Sequence, residues 1–171
     1  MEKHKTFISF YHHDDEKYKI YIETKFSYYI INKSVQNGEY DSDNSDEYVK
    51  RMIREDKVSD SSVMIVLIGP NTYRRKHVDW EIYAALRDSI NGCSGLIGVL
   101  LPTYVMSTGN KYRFSDIPAR LADNVKSGYS TVYSWDYFCN NFYSIIQQAF
   151  NNRILLKDKK VNNRRQMEEN I

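Results

Sequence analysis

Cysteine is nearly absent: two residues in 171, Cys93 and Cys139. Neither has a CxxC partner or a metal-ligand spacing, so the sequence predicts free thiols in a reducing compartment. No apolar run approaches the roughly 20 residues of a membrane helix, and no signal-peptide pattern opens the chain. The expectation is a cytoplasmic protein with no membrane partner. An excess of one charge is also lacking. The 24 basic and 22 acidic residues leave a net charge of +2, too balanced to argue for a nucleic-acid partner. Three enzyme signatures are missing as well. Without GxGxxG after the first strand, hydride transfer on a dinucleotide fold is unsupported. Without GxxxxGK[ST] there is no P-loop, and without GxSxG no serine-hydrolase elbow.

What is present is a globular composition, 42% hydrophobic and 27% charged, with 15 tyrosines. The length fits one domain able to bury a sizeable core. The tyrosines admit two readings, ordinary packing or an aromatic-lined pocket.

Along the chain, "TFISFY" (6–11) reads as a first strand. Asp14 or Asp15 can cap a following helix, whose stripe of Tyr18, Ile22, Phe26 and Tyr29/Ile30 predicts an end near Asn32. Residues 32–46 read as loop, with a possible short strand over Lys33–Gln36. Ser45 is a plausible cap for a second helix with the stripe Tyr48/Val49, Met52 and Ile53. The unbroken apolar run Val63–Ile68 reads as a strand buried on both faces. A helix follows from about Tyr73 or His77 to Ser89. "GLIGVLLP" (95–102) repeats the buried-strand pattern, and 103–128 hold one short helix. "YSTVYSW" (129–135) is the last strand. Phe138, Phe142, Ile145/Ile146 and Ala149/Phe150 mark a closing helix. Residues 1–156 form one domain; the basic end, 157–171, lacks apolar periodicity and reads as a mobile tail.

This alternation predicts an α/β, flavodoxin-like three-layer sandwich, a parallel central sheet with helices on both faces. Ligands in such sheets bind beyond the carboxyl ends of the strands. The loops after the first strand and after Val63–Ile68 therefore share one neighbourhood. A receiver domain has similar alternation, but its phospho-accepting aspartate is missing, because the central strand ends Ile68-Gly69-Pro70. His12-His13-Asp14-Asp15 could suggest a metal, yet four consecutive side chains point in different directions and seldom share one ion; no metal is expected.

Glu81 is the notable residue. At about 100° per residue it falls on the flank of the stripe Val78, Ile82, Ala85, Leu86. It is either an ordinary first-turn glutamate complementing the helix dipole or a carboxylate aimed at the strand ends.

The residues that decide between these carry a resemblance. "FISFYHHDD" resembles the opening strand and loop of TIR domains. "SSVMIVLIGPNTYRRKHVDWEI" is similar to the bacterial TIR-like branch of the Thoeris anti-phage system (ThsB type), in which V-L-I-G is followed by basic residues and W-V-x-x-E-I. The resemblance covers about residues 5–102. It implies an enzyme that takes NAD+ as substrate, with no cofactor, and cleaves its nicotinamide–ribose bond. The family's catalytic glutamate falls on Glu81. The branch builds a cyclic ADP-ribose isomer that activates a separate effector after a phage-derived trigger. His77 replaces the family's tryptophan, while Trp80 stands just before Glu81. Residues 36–45 resemble the loop that closes over substrate in position and polarity.

The chemistry suits these residue types. Nicotinamide leaves without needing a proton, and the ribose carbon becomes oxocarbenium-like, so one fixed carboxylate can stabilise it. Ser9, Phe10, Tyr11, His12, His77 and Trp80 are the expected substrate-binding residues: the aromatics to stack, His12 to contact phosphate. Cyclisation also requires the acceptor hydroxyl to be held close and dry. Self-association, or closure of the 36–45 loop, is therefore expected to complete the site. The rival readings are a non-catalytic TIR assembly module and a simple NAD glycohydrolase releasing linear ADP-ribose.

Overall fold

The computed structural model describes residues 1–35 and 47–171. In chain order the elements are β1 (His4–Ser9), α1 (His12–Lys25), β2 (Ile30–Asn32), α2 (Glu47–Ser59), β3 (Val63–Ile68), α3 (Lys76–Leu86), β4 (Gly95–Leu100), α4 (Ala119–Lys126), β5 (Thr131–Ser134), α5 (Trp135–Asn140) and α6 (Phe142–Leu155), with short 3-10 turns at Thr72–Arg74, Phe114–Asp116 and Lys157–Lys159. The five strands pair in parallel in the order β2-β1-β3-β4-β5. This is the flavodoxin-like order, with the switch point between β1 and β3.

The apolar run of β3 is buried throughout because it serves two cores. Met64, Val66 and Ile68 face one layer with Val78, Ile82 and Leu86 of α3 and Leu121 of α4. Val63, Ile65 and Leu67 face the other with Ile22 of α1, Phe138 of α5 and Phe142 and Ile146 of α6. Alternate residues of a strand point to opposite faces, so a strand covered on both sides must be apolar at every position. Parallel strands and helices in two layers are the architecture expected from the sequence.

Gly95 shows how close the second layer lies. A Cβ there would stand 2.0 Å from the Ala149 carbonyl oxygen and 2.5 Å from its carbon. Backbone cannot rotate aside, so α6 would have to lift from β4. Gly95→Ala is expected to cost roughly 1–3 kcal/mol, read as a lower urea midpoint with an unchanged slope.

Three local expectations are corrected. Helix α1 stops at Lys25, and Ile30 belongs to β2, paired with His4 of β1. The stripe at Tyr29/Ile30 continues by coincidence of period. The ladder claims Ile30–Asn32, paired with His4–Thr6, and the chain just beyond stays tied to β1: the Lys33 amide donates to the Thr6 carbonyl at 2.8 Å, and the Ile8 amide donates to Ser34 Oγ at 2.8 Å. Neither Asp14 nor Asp15 caps α1; Tyr11 is its cap residue, and the two acids lie in the first turn. On α2, Tyr48 and Met52 are exposed. The helix instead turns Arg51, Arg54, Glu55 and Val58 inward, one face at helical spacing. Ser45 and the 36–45 loop lie outside the described residues.

The basic end, expected to be mobile, is laid across α3 and α4. Lys160 pairs with Asp88 at 3.0 Å and Arg164 with Asp123 at 2.8 Å. The Met167 amide donates to Asp79 Oδ2 at 2.9 Å, and the Ile171 amide to the Arg74 carbonyl at 3.1 Å. Its positive charges meet acids distant in sequence, so a local reading finds only an unpatterned basic run. No helix among the described residues is long and apolar enough to cross a membrane.

Candidate functional site

β1 ends at Ser9, and α3 begins just beyond the end of β3, so their termini meet at the switch point. His77 and Glu81 are four residues apart on α3 and share its inner face. Glu81 is 3% exposed. Ser9 Oγ donates a short hydrogen bond to Glu81 Oε2, and Arg54 Nε stands 3.5 Å from Oε1. Each oxygen thus meets a different element, β1 on one side and α2 on the other. Burial raises the Glu81 carboxyl to about 7, against the opposing pull of Arg54 and then of the Ser9 hydrogen bond. Desolvation penalises the charged form more than these two partners restore it.

One turn before Glu81 on α3 stands His77, with the His12 ring beside it. His77 Nε2 donates to the Phe10 carbonyl at 3.1 Å, which fixes the tautomer and leaves Nδ1 as an acceptor. Burial, reinforced by the Arg54 charge, lowers His77 to about 3. The same causes, in the same order, lower His12 to about 4. The two rings lie 5.7 Å apart. Both are neutral near pH 7, so His12 can meet a phosphate as a hydrogen-bonding ring and not as a cation.

The structure therefore brings together Ser9, His12, His77 and Glu81. Phe10 joins them through its carbonyl, while its ring is buried in the core and packs on His12 at 4.2 Å. Tyr11 is half-buried beneath the Arg75 guanidinium, 4.0 Å from its ring. Trp80 is not brought in. Adjacent residues on a helix differ by about 100°, and Trp80 turns outward, donating from Nε1 to the Met167 carbonyl at 2.8 Å under the C-terminal segment. Arg51 lies over its other surface at 4.6 Å.

The residues 12–15 disperse. His12 faces His77, whereas Asp14 bonds His13 at 2.7 Å and Asn71 at 3.0 Å on the surface. Asp15 is buried against Gly69, where its carboxylate occupies the place a Cβ would take, at 2.6 Å. Burial, with Asp14 adding repulsion, raises Asp15 to about 6.

Arg54 is the residue that sequence reading missed. Its signal is hidden by composition: Arg51, Arg54, Glu55 and Val58 form an inward stripe that is mostly charged, while Tyr48 and Met52 of the apolar stripe beside it are exposed.

A doubly covered parallel sheet with a buried carboxylate at its switch point defines the class: a flavodoxin-like α/β domain whose ligand end is built by the β1–α1 and β3–α3 connections. The model of the family described as Thoeris protein ThsB, TIR-like domain, matches residues 7–105, more than half of the chain and all of the segments just described. The chain belongs to that family. No curated protein matches it.

Proposed function

We propose that this TIR-like domain consumes NAD+. It breaks the bond between nicotinamide and ribose and closes the ADP-ribosyl group into a cyclic isomer, which signals to a separate effector in anti-phage defence. The observation that supports this reading most is the buried Glu81 carboxylate, gripped by Ser9 and Arg54 at the switch point. Nicotinamide departs with the electron pair of the C–N bond. The carboxylate faces the positive charge left on the ribose carbon. A hydroxyl of the same molecule then attacks that carbon and gives up its proton, for which the Glu81 carboxylate, at about 7, is a better acceptor than imidazoles lowered to about 3 and 4. The balance is NAD+ to cyclic product, nicotinamide and one proton. With Glu81 closed off from solvent, the described arrangement fits a resting site that a phage-derived trigger, self-association or both would open.

The test is incubation with NAD+, using protein alone and protein from infected cells, with the product resolved by chromatography and mass spectrometry. Nicotinamide with an equimolar cyclic isomer is expected. Linear ADP-ribose would replace the cyclase with a glycohydrolase, and trigger-dependent oligomers without any NAD+ loss would select the assembly module. A pH dependence follows. The carboxylate form is the competent one, so the rate should rise with pH and reach half its plateau near the Glu81 value of about 7. A rate flat across that range would remove Glu81 from the step.

A further inference from the structure

We propose that Arg54 is the positioning residue of this site: carried by α2 to 3.5 Å from Glu81 Oε1, its guanidinium forms an ion pair with the carboxylate and favours the charged form. The inference rests on the NAD+-consuming reading for its role in turnover, and on geometry alone for its hold on Glu81.

The surroundings of Glu81 leave few other cations to do this. Among the described residues, Ser9 of β1 supplies a neutral donor. His77 of α3 and His12 of α1 are uncharged near neutral pH. Arg120 of α4 is bound to Asp79 at 2.9 Å on another side of α3, and Arg87 lies 3.7 Å from Glu55. Lys19 of α1 pairs with Glu23 at 3.0 Å. Arg75 covers the Tyr11 ring. The strand residues packed with α3, such as Met64, Val66 and Ile68, are apolar. Arg54 is therefore the cation at contact range of a carboxylate that burial would otherwise neutralise.

This arrangement carries a cost that makes the inference testable. A guanidinium beside the carboxylate opposes the positive charge that forms on ribose, yet without it the carboxylate is protonated over the working range. At neutral pH the second effect governs, because an acid cannot stabilise a cation at all. At alkaline pH ionisation no longer needs help, and only the first effect remains. A residue that merely packs would show no such crossover.

The experiment titrates the side-chain carboxyls of substrate-free protein labelled with carbon-13 at glutamate Cδ, assigning Glu81 by the resonance missing from Glu81→Gln. Arg54→Met should raise the Glu81 midpoint by about 1 to 3 pH units, the usual effect of an opposite charge at this range. Arg54→Lys, which keeps the charge, should leave it near the wild-type value. NAD+ cleavage by Arg54→Met should fall roughly 5- to 500-fold at pH 7, as a 1- to 3-unit shift requires, and the deficit should close as pH rises. An unmoved Glu81 midpoint in folded Arg54→Met overturns the proposal, as does a rate loss of equal size at every pH. If wild-type protein, alone and from infected cells, cleaves no NAD+ but the midpoint moves as stated, the hold on Glu81 stands and the enzymatic reading falls.

Discussion

Glu81→Gln is expected to lower nicotinamide release from NAD+ by about 10²-fold or more while leaving the fold intact. Glutamine matches glutamate in shape and keeps an oxygen for the Ser9 hydroxyl, but it carries no charge to set against the ribose cation. Stability supplies the control. In wild type the carboxyl titrates at about 7 in the fold against 4.5 for the free group. Between those values the native state holds more protons than the unfolded chain, so stability falls as pH rises toward 7 and levels off above it. Glutamine has no such dependence. The melting temperature of Glu81→Gln should therefore gain on wild type between pH 5 and pH 8. The Arg54 contact is already contained in the folded value of about 7, so the two pKa values alone set the pH-dependent difference. A variant with full turnover, or one whose stability difference ignores pH, would show that this carboxyl is neither the reacting group nor a desolvated one. A stabilising change that removes activity is the usual mark of a site built at the expense of the fold.

Asp79→Ala is expected to carry the largest loss of stability, about 3–5 kcal/mol. Arg120 is fully buried, and Asp79 receives two hydrogen bonds from it, at 2.9 and 3.2 Å. Removing the carboxylate leaves a buried guanidinium without its counter-charge, bonded to the neutral Asn162 Oδ1 at 3.1 Å and Arg164 carbonyl at 2.9 Å. The same substitution frees the Met167 amide, which bonds Asp79 Oδ2 at 2.9 Å. The terminal segment should loosen as well, and hydrogen exchange at residues 161–171 should rise along with the drop in urea midpoint. The double variant Asp79→Leu with Arg120→Met, which removes both charges and keeps volume, should recover much of the loss, because a buried pair contributes little beyond an apolar replacement. A single variant within about 1 kcal/mol of wild type would mean that water reaches Arg120 and that the terminal segment is held elsewhere.

The two variants act on two sides of one helix. Asp79 and Glu81 are two positions apart on α3, about 200° around its axis. One anchors α4 and the chain end, and the other faces β1 and α2. Helix α3 is thereby clamped from behind while presenting Glu81 to the switch point. The sequence "VDWEI" accordingly holds three polar side chains with three separate tasks. Asp79 meets the Arg120 guanidinium, Trp80 lies under the chain end, and Glu81 meets Ser9.

The sequence by itself determined the sheet. Val63–Ile68 and Gly95–Leu100 are apolar at every position because strands covered on both faces must be, while helical period put Glu81 on the flank of the α3 stripe and left open whether it complements the dipole or faces the strand ends. Only the tertiary structure decided which neighbours that carboxylate meets. Arg54 comes from a helix whose sequence advertises a different, apolar stripe at Tyr48 and Met52, both exposed. The chain end is basic and without period, yet it is held by Asp79, Asp88 and Asp123, acids whose proximity arises from folding. Periodicity records how a residue stands to its own element. Charge pairing depends on which elements the fold sets side by side, and no local pattern encodes that.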